Sequence, residues 1–261
     1  MQVAGNHAVA LWGRTEEGFA TDPLMVELNL IFAMTRFVIK VEDYPRWGDV
    51  VEGETWFESQ GKIAARRDWL MRDAETDRLL VRASSMWVMV NTKTRRLAKM
   101  PQEMIDKFRR FTPSDPRLSC PGHSLTEKLP DIDESREVIP GPVQVVRRSD
   151  IDMNGHVNNV IYLAWALETV PADVYQRYRL TEVEVEYKAE CNYGDVVESV
   201  AQRVPEAAPA NGTNGSGSDQ GRVTLIHLLK TCSDSTNGSA EKTRKEFARI
   251  KTIWVEQPGK V

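Results

Sequence analysis

The sequence is poor in the residues that metal centres and disulfide frameworks require. It has three cysteines, Cys120, Cys191 and Cys232, an odd number at spacings that match no zinc motif. That excludes a disulfide scaffold and suggests a reducing compartment. The four histidines, His7, His123, His156 and His227, are scattered without HxxxH spacing, so no metal site is expected. No run of about 18 apolar residues occurs, which argues against a membrane-spanning helix. The N-terminus carries no signal-like or Ser/Arg-rich leader, so the chain reads as a mature form or a fragment. Positive charge is also short: the net charge is −4, which argues against broad nucleic-acid binding. An acidic partner would have to meet a local basic patch.

What the chain does have is apolar content and a repeat. Its 261 residues are 41% hydrophobic, enough for two packed domains. Trp47-Gly48-Asp49-Val50-Val51-Glu52 recurs as Tyr193-Gly194-Asp195-Val196-Val197-Glu198. In both copies a turn of Gly and Asp precedes a strand-like run. Trp87-Val88 and Trp254-Val255 form a second matched pair. The offset grows from 146 (194 − 48) to 167 (254 − 87), so the second copy should contain about 21 inserted residues. Pro205–Gly221 is a Gly/Ser/Ala/Pro-rich stretch of that kind, and Ser233–Ala240 is a second polar loop. Two homologous domains follow: 1–106, a linker over 107–137, and 138–261.

Each copy reads as one helix followed by long strands. In the first, a helix remnant over Asn6–Trp12 precedes strands near Thr35–Val41, Val50–Ser59, Lys62–Arg72 and Leu79–Val90. In the second, Gln144–Arg148 suggests a strand and Asp150–Gly155 a turn. A helix is predicted from His156, with Val157, Val160, Ile161, Ala164, Leu167 and Val170 on one face and Pro171 at its end. Strands are then predicted over Glu182–Glu190, Val196–Val204, Arg222–Thr231 and Arg244–Val255. One apolar helix with a long antiparallel sheet suggests an α+β fold in which the sheet wraps the helix.

The chemistry concentrates in Ser149-Asp150-Ile151-Asp152-Met153-Asn154-Gly155-His156-Val157-Asn158-Asn159. Carboxylates, carboxamides and one imidazole crowd a helix start, where free N–H groups can hold an oxyanion. His156 is the side chain there that can exchange protons near neutral pH. Asp152 or Asn154 could orient its ring. The plainer reading is that Asp and Asn cap the helix and His156 is a surface residue.

This run, with Glu186-Tyr187-Lys188-Ala189-Glu190-Cys191, resembles the plant and algal acyl-ACP thioesterases. Gly61–Leu70 (containing Arg66-Arg67-Asp68-Trp69) and Arg82–Arg96 (containing Trp87-Val88-Met89) support the likeness, which spans nearly the whole chain outside the two loops. The resemblance implies a double hotdog fold with one active site in the second copy. It also implies hydrolysis of long-chain acyl-ACP to free fatty acid and carrier protein, without cofactor, in the plastid stroma. The motif wording leans towards the oleoyl-preferring class. Family members carry a first strand before the Asn6-His7 position, so the chain reads as truncated within its first hotdog helix.

The catalytic residues that the resemblance implies are Asp152, Asn154, His156 and Glu190. An older view makes Cys191 a nucleophile with His156 and Asn154. Strand alternation puts Glu190 and Cys191 on opposite faces, with Cys191 among Val183, Val185 and Tyr187 on the apolar side, which favours Glu190. In the first copy Tyr44 and Pro45 stand where Glu190 and Cys191 do, so that copy reads as structural and acyl-holding, and His7 as a packing or surface residue. Trp69, Trp87 and Met89 read as core. Arg66, Arg67, Arg95, Arg96, Lys99, Arg147 and Arg148 are candidates to meet an acidic carrier and its phosphopantetheine. Strand arginines also serve simply to solubilise a sheet. The reading leaves open a homodimer, an acyl-CoA thioesterase or dehydratase of the same fold, and an acyl-binding module without turnover.

Overall fold

A computed structural model describes residues 22–110, 112–114, 117–152, 155–205, 221–232 and 245–257. The expected helix over Asn6–Trp12, His7, Asn154, and nearly all of the two polar loops lie outside the described residues. The chain divides into two compact units, Met1–Thr126 and Glu127–Val261.

In unit 1 the short helix α1 (Pro23–Glu27) is capped by Asp22, whose carboxylate accepts from Leu24 N at 2.8 Å. Strands β1 (Leu30–Val41), β2 (Val51–Gln60), β3 (Ala64–Asp73) and β4 (Leu79–Asn91) follow. They pair antiparallel in the order β2-β3-β4-β1, and a two-residue β5 (Arg96–Leu97) folds back on β4. Helix α2 (Gln102–Arg109) packs on β2. Its buried face, Met104, Ile105 and Phe108, meets Phe57, Leu30 and Met89. The Phe57 and Phe108 rings lie 4.2 Å apart.

This helix straddles the linker boundary expected at 107, and its i, i+1, i+4 apolar spacing is legible in the sequence. Of the three expected core residues, only Met89 is fully buried. Trp69 and Trp87 are half-buried, with Trp69 edge-on to Phe37.

Unit 1 also buries charge. Asp68 is fully buried and accepts from Arg66 Nε, Ser84 Oγ, and both the amide and hydroxyl of Ser119. Four donors around one carboxylate compensate its desolvation, and Ser119 thereby pins the 117–120 segment to the sheet. Arg66 is itself buried between Asp68 and Glu58. This corrects its reading as a carrier contact, because both of its ends are already neutralised inside the unit.

Unit 2 opens with β6 (Ile139–Pro140), β7 (Gln144–Val145) and a 3₁₀ turn (Arg148–Asp150), so the expected strand to Arg148 ends three residues early. Helix α3 (Asn159–Leu167) and the short α4 (Ala172–Arg177) precede β8 (Tyr178–Tyr187), β9 (Val196–Val204), β10 (Arg222–Thr231) and β11 (Glu246–Glu256). The long strands pair antiparallel as β9-β10-β11-β8, the order of unit 1, with β6 and β7 on the outer edge of β9. Helix α3 packs on β9, β10 and β11.

The helix differs from expectation at both ends and in its face. It starts at Asn159 with Asn158 as cap, and it ends at Leu167, where Glu168 caps it; Pro171 caps α4 instead. Tyr162, Trp165 and Ala166 are buried, whereas Val160 and Ala164 are exposed. NVIYLAWAL is apolar all round, so periodicity alone could not select its inner face.

A polarised hydrogen-bond chain ties the end of α3 to the sheet. Thr169 Oγ1 donates to Ala166 O (2.7 Å), so His227 must donate to it from Nδ1 (2.7 Å). The other ring nitrogen then accepts from Thr252 Oγ1 (2.8 Å), which itself accepts from Trp254 Nε1 (2.9 Å). Complete burial pushes the His227 pKa down to about 3. Among the described residues no helix is long and apolar enough to cross a membrane.

Candidate active site

The acidic run folds as a tight hairpin that delivers the chain into α3. Ile151 and Val157 bridge, Asp152 N donates to His156 O (2.8 Å), and Asn158 N donates to Asp150 O (2.8 Å). Gly155 sits at φ 78°, a left-handed turn that favours glycine. Asp152 holds His156 through the backbone: its Oδ1 accepts from His156 N at 3.4 Å. This differs from a carboxylate bonded to the ring.

The hairpin also uses amides that were expected to be free for an oxyanion. His156 N and Asn158 N are engaged as above, and Val160 N donates to Asn158 Oδ1 at 3.3 Å. The helix begins three residues after His156, so the amides of His156 and Asn158 serve the hairpin rather than the first turn of the helix.

Glu190 approaches from the other side. β8 ends at Tyr187, and the chain continues along β11, with Lys188 N and Ala189 N both donating to Phe247 O (2.9 and 3.2 Å). Glu190 Oε2 comes to 3.8 Å from His156 Nδ1. Both side chains are partly exposed, at 40% and 37%, so solvent and substrate can reach them. The Nδ1 atom itself is buried and has no hydrogen-bond partner.

Cys191 is fully buried. Burial pushes its thiol up to about 12, against a thiolate nucleophile near neutral pH. The thiol lies on the apolar side, as alternation along the strand suggested, but for a different reason. The strand has already ended at Tyr187, and the side-chain directions are set by the contacts of the 188–191 segment.

The remaining candidates separate by exposure. Arg67 is half-buried, its guanidinium 5.3 Å from the Phe57 ring centroid, and desolvation lowers its pKa to about 10. Arg95 lies on the exposed β4–β5 turn and Arg96 opens the exposed β5. Arg147 and Arg148 are exposed beside the hairpin, with Arg148 4.7 Å over the Tyr193 ring. Two contacts around Glu190 were not anticipated from sequence: Lys245 Nζ donates to Glu190 O, and Cys191 N donates to Tyr162 Oη.

Two units with the same four-strand order, each with a helix packed on its strands, are the double hotdog fold, the class to which solved structures of similar shape belong. The family is narrower. Residues 1–108 match the acyl-ACP thioesterase N-terminal domain, and residues 142–254 match the acyl-ACP thioesterase C-terminal domain. The chain is 37% identical to oleoyl-acyl carrier protein thioesterase 1 of Arabidopsis thaliana, an alignment covering 99% of this chain and 69% of that protein. It is 39% identical to the palmitoyl-acyl carrier protein thioesterase of the same plant, over 88% of this chain and 53% of the relative. The 12:0-ACP thioesterase from Umbellularia californica superposes with a TM-score of 0.77 at 29% identity, over 98% of this chain and 84% of that one. The chain belongs to the acyl-ACP thioesterase family. The relatives include both the oleoyl class, at 37–42% identity, and the palmitoyl class, at 38–39%.

Proposed function

We propose that this chain hydrolyses long-chain acyl-ACP to free fatty acid and carrier protein, and that His156 and Glu190 carry the reaction. The observation that bears most weight is that the Glu190 carboxylate faces the His156 ring at 3.8 Å while the Cys191 thiol is sealed in the core. A water beside the partly exposed Glu190 carboxylate loses a proton to the pair as its oxygen bonds to the thioester carbonyl carbon. The tetrahedral adduct then collapses with cleavage of the C–S bond, and the proton passes to the departing phosphopantetheine thiolate. Asp152 holds the imidazole through the His156 amide. Asn154, which lies between Asp152 and His156 in the chain, is assigned to orient the carbonyl oxygen.

The domains follow the sequence repeat: an acyl-holding unit 1 and a catalytic unit 2, joined near 107–137. Arg147 and Arg148 flank the hairpin and are proposed, with Arg95 and Arg96, to meet the acidic carrier. Relatives named as chloroplastic support a plastid stromal location. Single-turnover hydrolysis of oleoyl-ACP by wild type, Glu190→Ala, His156→Ala and Cys191→Ala tests the site. The first two should lose activity and the third should keep most of it. Loss confined to Cys191→Ala would overturn the carboxylate mechanism. Comparing oleoyl-ACP with oleoyl-CoA tests the carrier, and equal rates would count against an ACP-specific enzyme.

A further inference from the structure

The peptide that joins Glu190 to Cys191 is held from both edges by side chains. It lies beyond the end of β8, so no ladder bond fixes it. Its carbonyl accepts from Lys245 Nζ at 2.8 Å, and its N–H donates to Tyr162 Oη at 3.1 Å. Both clamps are themselves anchored. Lys245 pairs reciprocally with Thr231: its N donates to Thr231 Oγ1 (3.1 Å) and its carbonyl accepts from Thr231 N (2.9 Å). Its ammonium stands 5.0 Å over the buried Phe247 ring. Tyr162 is buried on α3 and stacked edge-on at 5.6 Å against Tyr187. Tyr187 in turn donates to Asn159 O at the start of α3 (3.1 Å).

We propose that Lys245 and Tyr162 are positioning residues that lock the 190–191 peptide plane and so aim the Glu190 carboxylate at His156. The inference rests on the reading that Glu190 is catalytic. A carboxylate on an unpaired segment would swing with every rotation of that plane. Donor and acceptor groups on opposite edges remove the rotation, and small displacements at a reacting group are costly. The clamp also gives Cys191 a role without nucleophilic chemistry: its amide is a fixed point and its side chain fills the core beside Tyr162.

The test is steady-state hydrolysis of oleoyl-ACP by Lys245→Met, Lys245→Arg and Tyr162→Phe, each alone and combined with Glu190→Gln. Lys245→Met should lower kcat about 10- to 100-fold with KM changed less than about 2-fold. Tyr162→Phe should lower kcat by about 3- to 10-fold, and Lys245→Arg should recover most of the rate. In the Glu190→Gln background neither clamp variant should lower the residual rate further. Wild-type kcat in both clamp variants, equal fold losses with and without the carboxylate, or a Lys245→Met effect confined to KM would each overturn the positioning role. Full activity of Glu190→Gln alone would instead overturn the catalytic reading beneath it.

Discussion

The two Gly-Asp turns are nearly identical in their bonding and opposite in their consequences. Gly48 and Gly194 both take positive φ, at 97° and 85°. Asp49 Oδ2 accepts from Arg46 N at 2.7 Å, and Asp195 Oδ2 accepts from Asn192 N at 2.8 Å. Just upstream, the copies diverge. Unit 2 has Glu190 and Cys191, the peptide gripped by Lys245 and Tyr162. Unit 1 has Tyr44 and Pro45, and proline has no N–H to offer such a grip. A duplicated turn therefore delivers a fixed carboxylate in one unit and none in the other. The same divergence runs through the cores. Strand register places His227, opposite Ala201, where unit 1 has Trp69 opposite Thr55. At that place unit 2 buries a neutral imidazole; both units bury charge elsewhere, Asp68 with Arg66 in unit 1 and Arg249, paired with Glu246, in unit 2.

The sharpest way to break the comparison is to remove the two matched side chains. Glu190→Ala should lower kcat for oleoyl-ACP by about 10²- to 10⁴-fold, and Tyr44→Ala should leave it within about 2-fold. Comparable losses would mean that unit 1 takes part in the chemistry.

Next in size is the buried charge. Asp68→Ala strips one of two carboxylate partners from Arg66 and the acceptor from three further donors, and should cost about 3–5 kcal/mol in chemical denaturation. A loss below about 1 kcal/mol would show that the site rehydrates freely.

The buried imidazole gives a pH signature. Its folded pKa, about 3, lies below the ordinary value of 6.5. The unfolded chain therefore takes up the proton first, and stability is retained above about 6.5 and lost as pH falls towards 3. Between about pH 7.5 and 5 the loss should be about 2 kcal/mol. His227→Gln should remove that slope; an unchanged slope would assign it to other groups.

The smallest effects belong to the turns. A Cβ added at Gly48 or Gly194 would meet no atom within 4 Å, so an alanine at either position meets only backbone strain, about 1–2 kcal/mol. Both alanine variants should lower the melting temperature, but only Gly194→Ala should also reduce kcat, because its turn follows Glu190 by four residues.

Much of this was legible in the chain. The long strands and their repetition along the chain follow from β-branched runs and paired Gly-Asp turns, and the Asp150–Asn159 cluster marked the candidate site. The helix face was not legible, because a segment apolar on every side carries no amphipathic signal. Lys245 was hidden because it stands 55 residues from Glu190, next to a polar loop, and acts through a backbone carbonyl that no motif describes. Arg66 looked like a surface cation until its two carboxylate partners came into view.

By itself, the sequence determined the two-unit plan, the succession of long strands along the chain and the chemical groups gathered at 150–159 and 190, because local propensity and turn chemistry act over short stretches. Tertiary structure alone decided which carboxylate meets the imidazole, which arginine is buried and what holds the 190–191 peptide. Those outcomes depend on groups distant in the chain satisfying one another once water has been excluded, and short-range pattern carries no record of that.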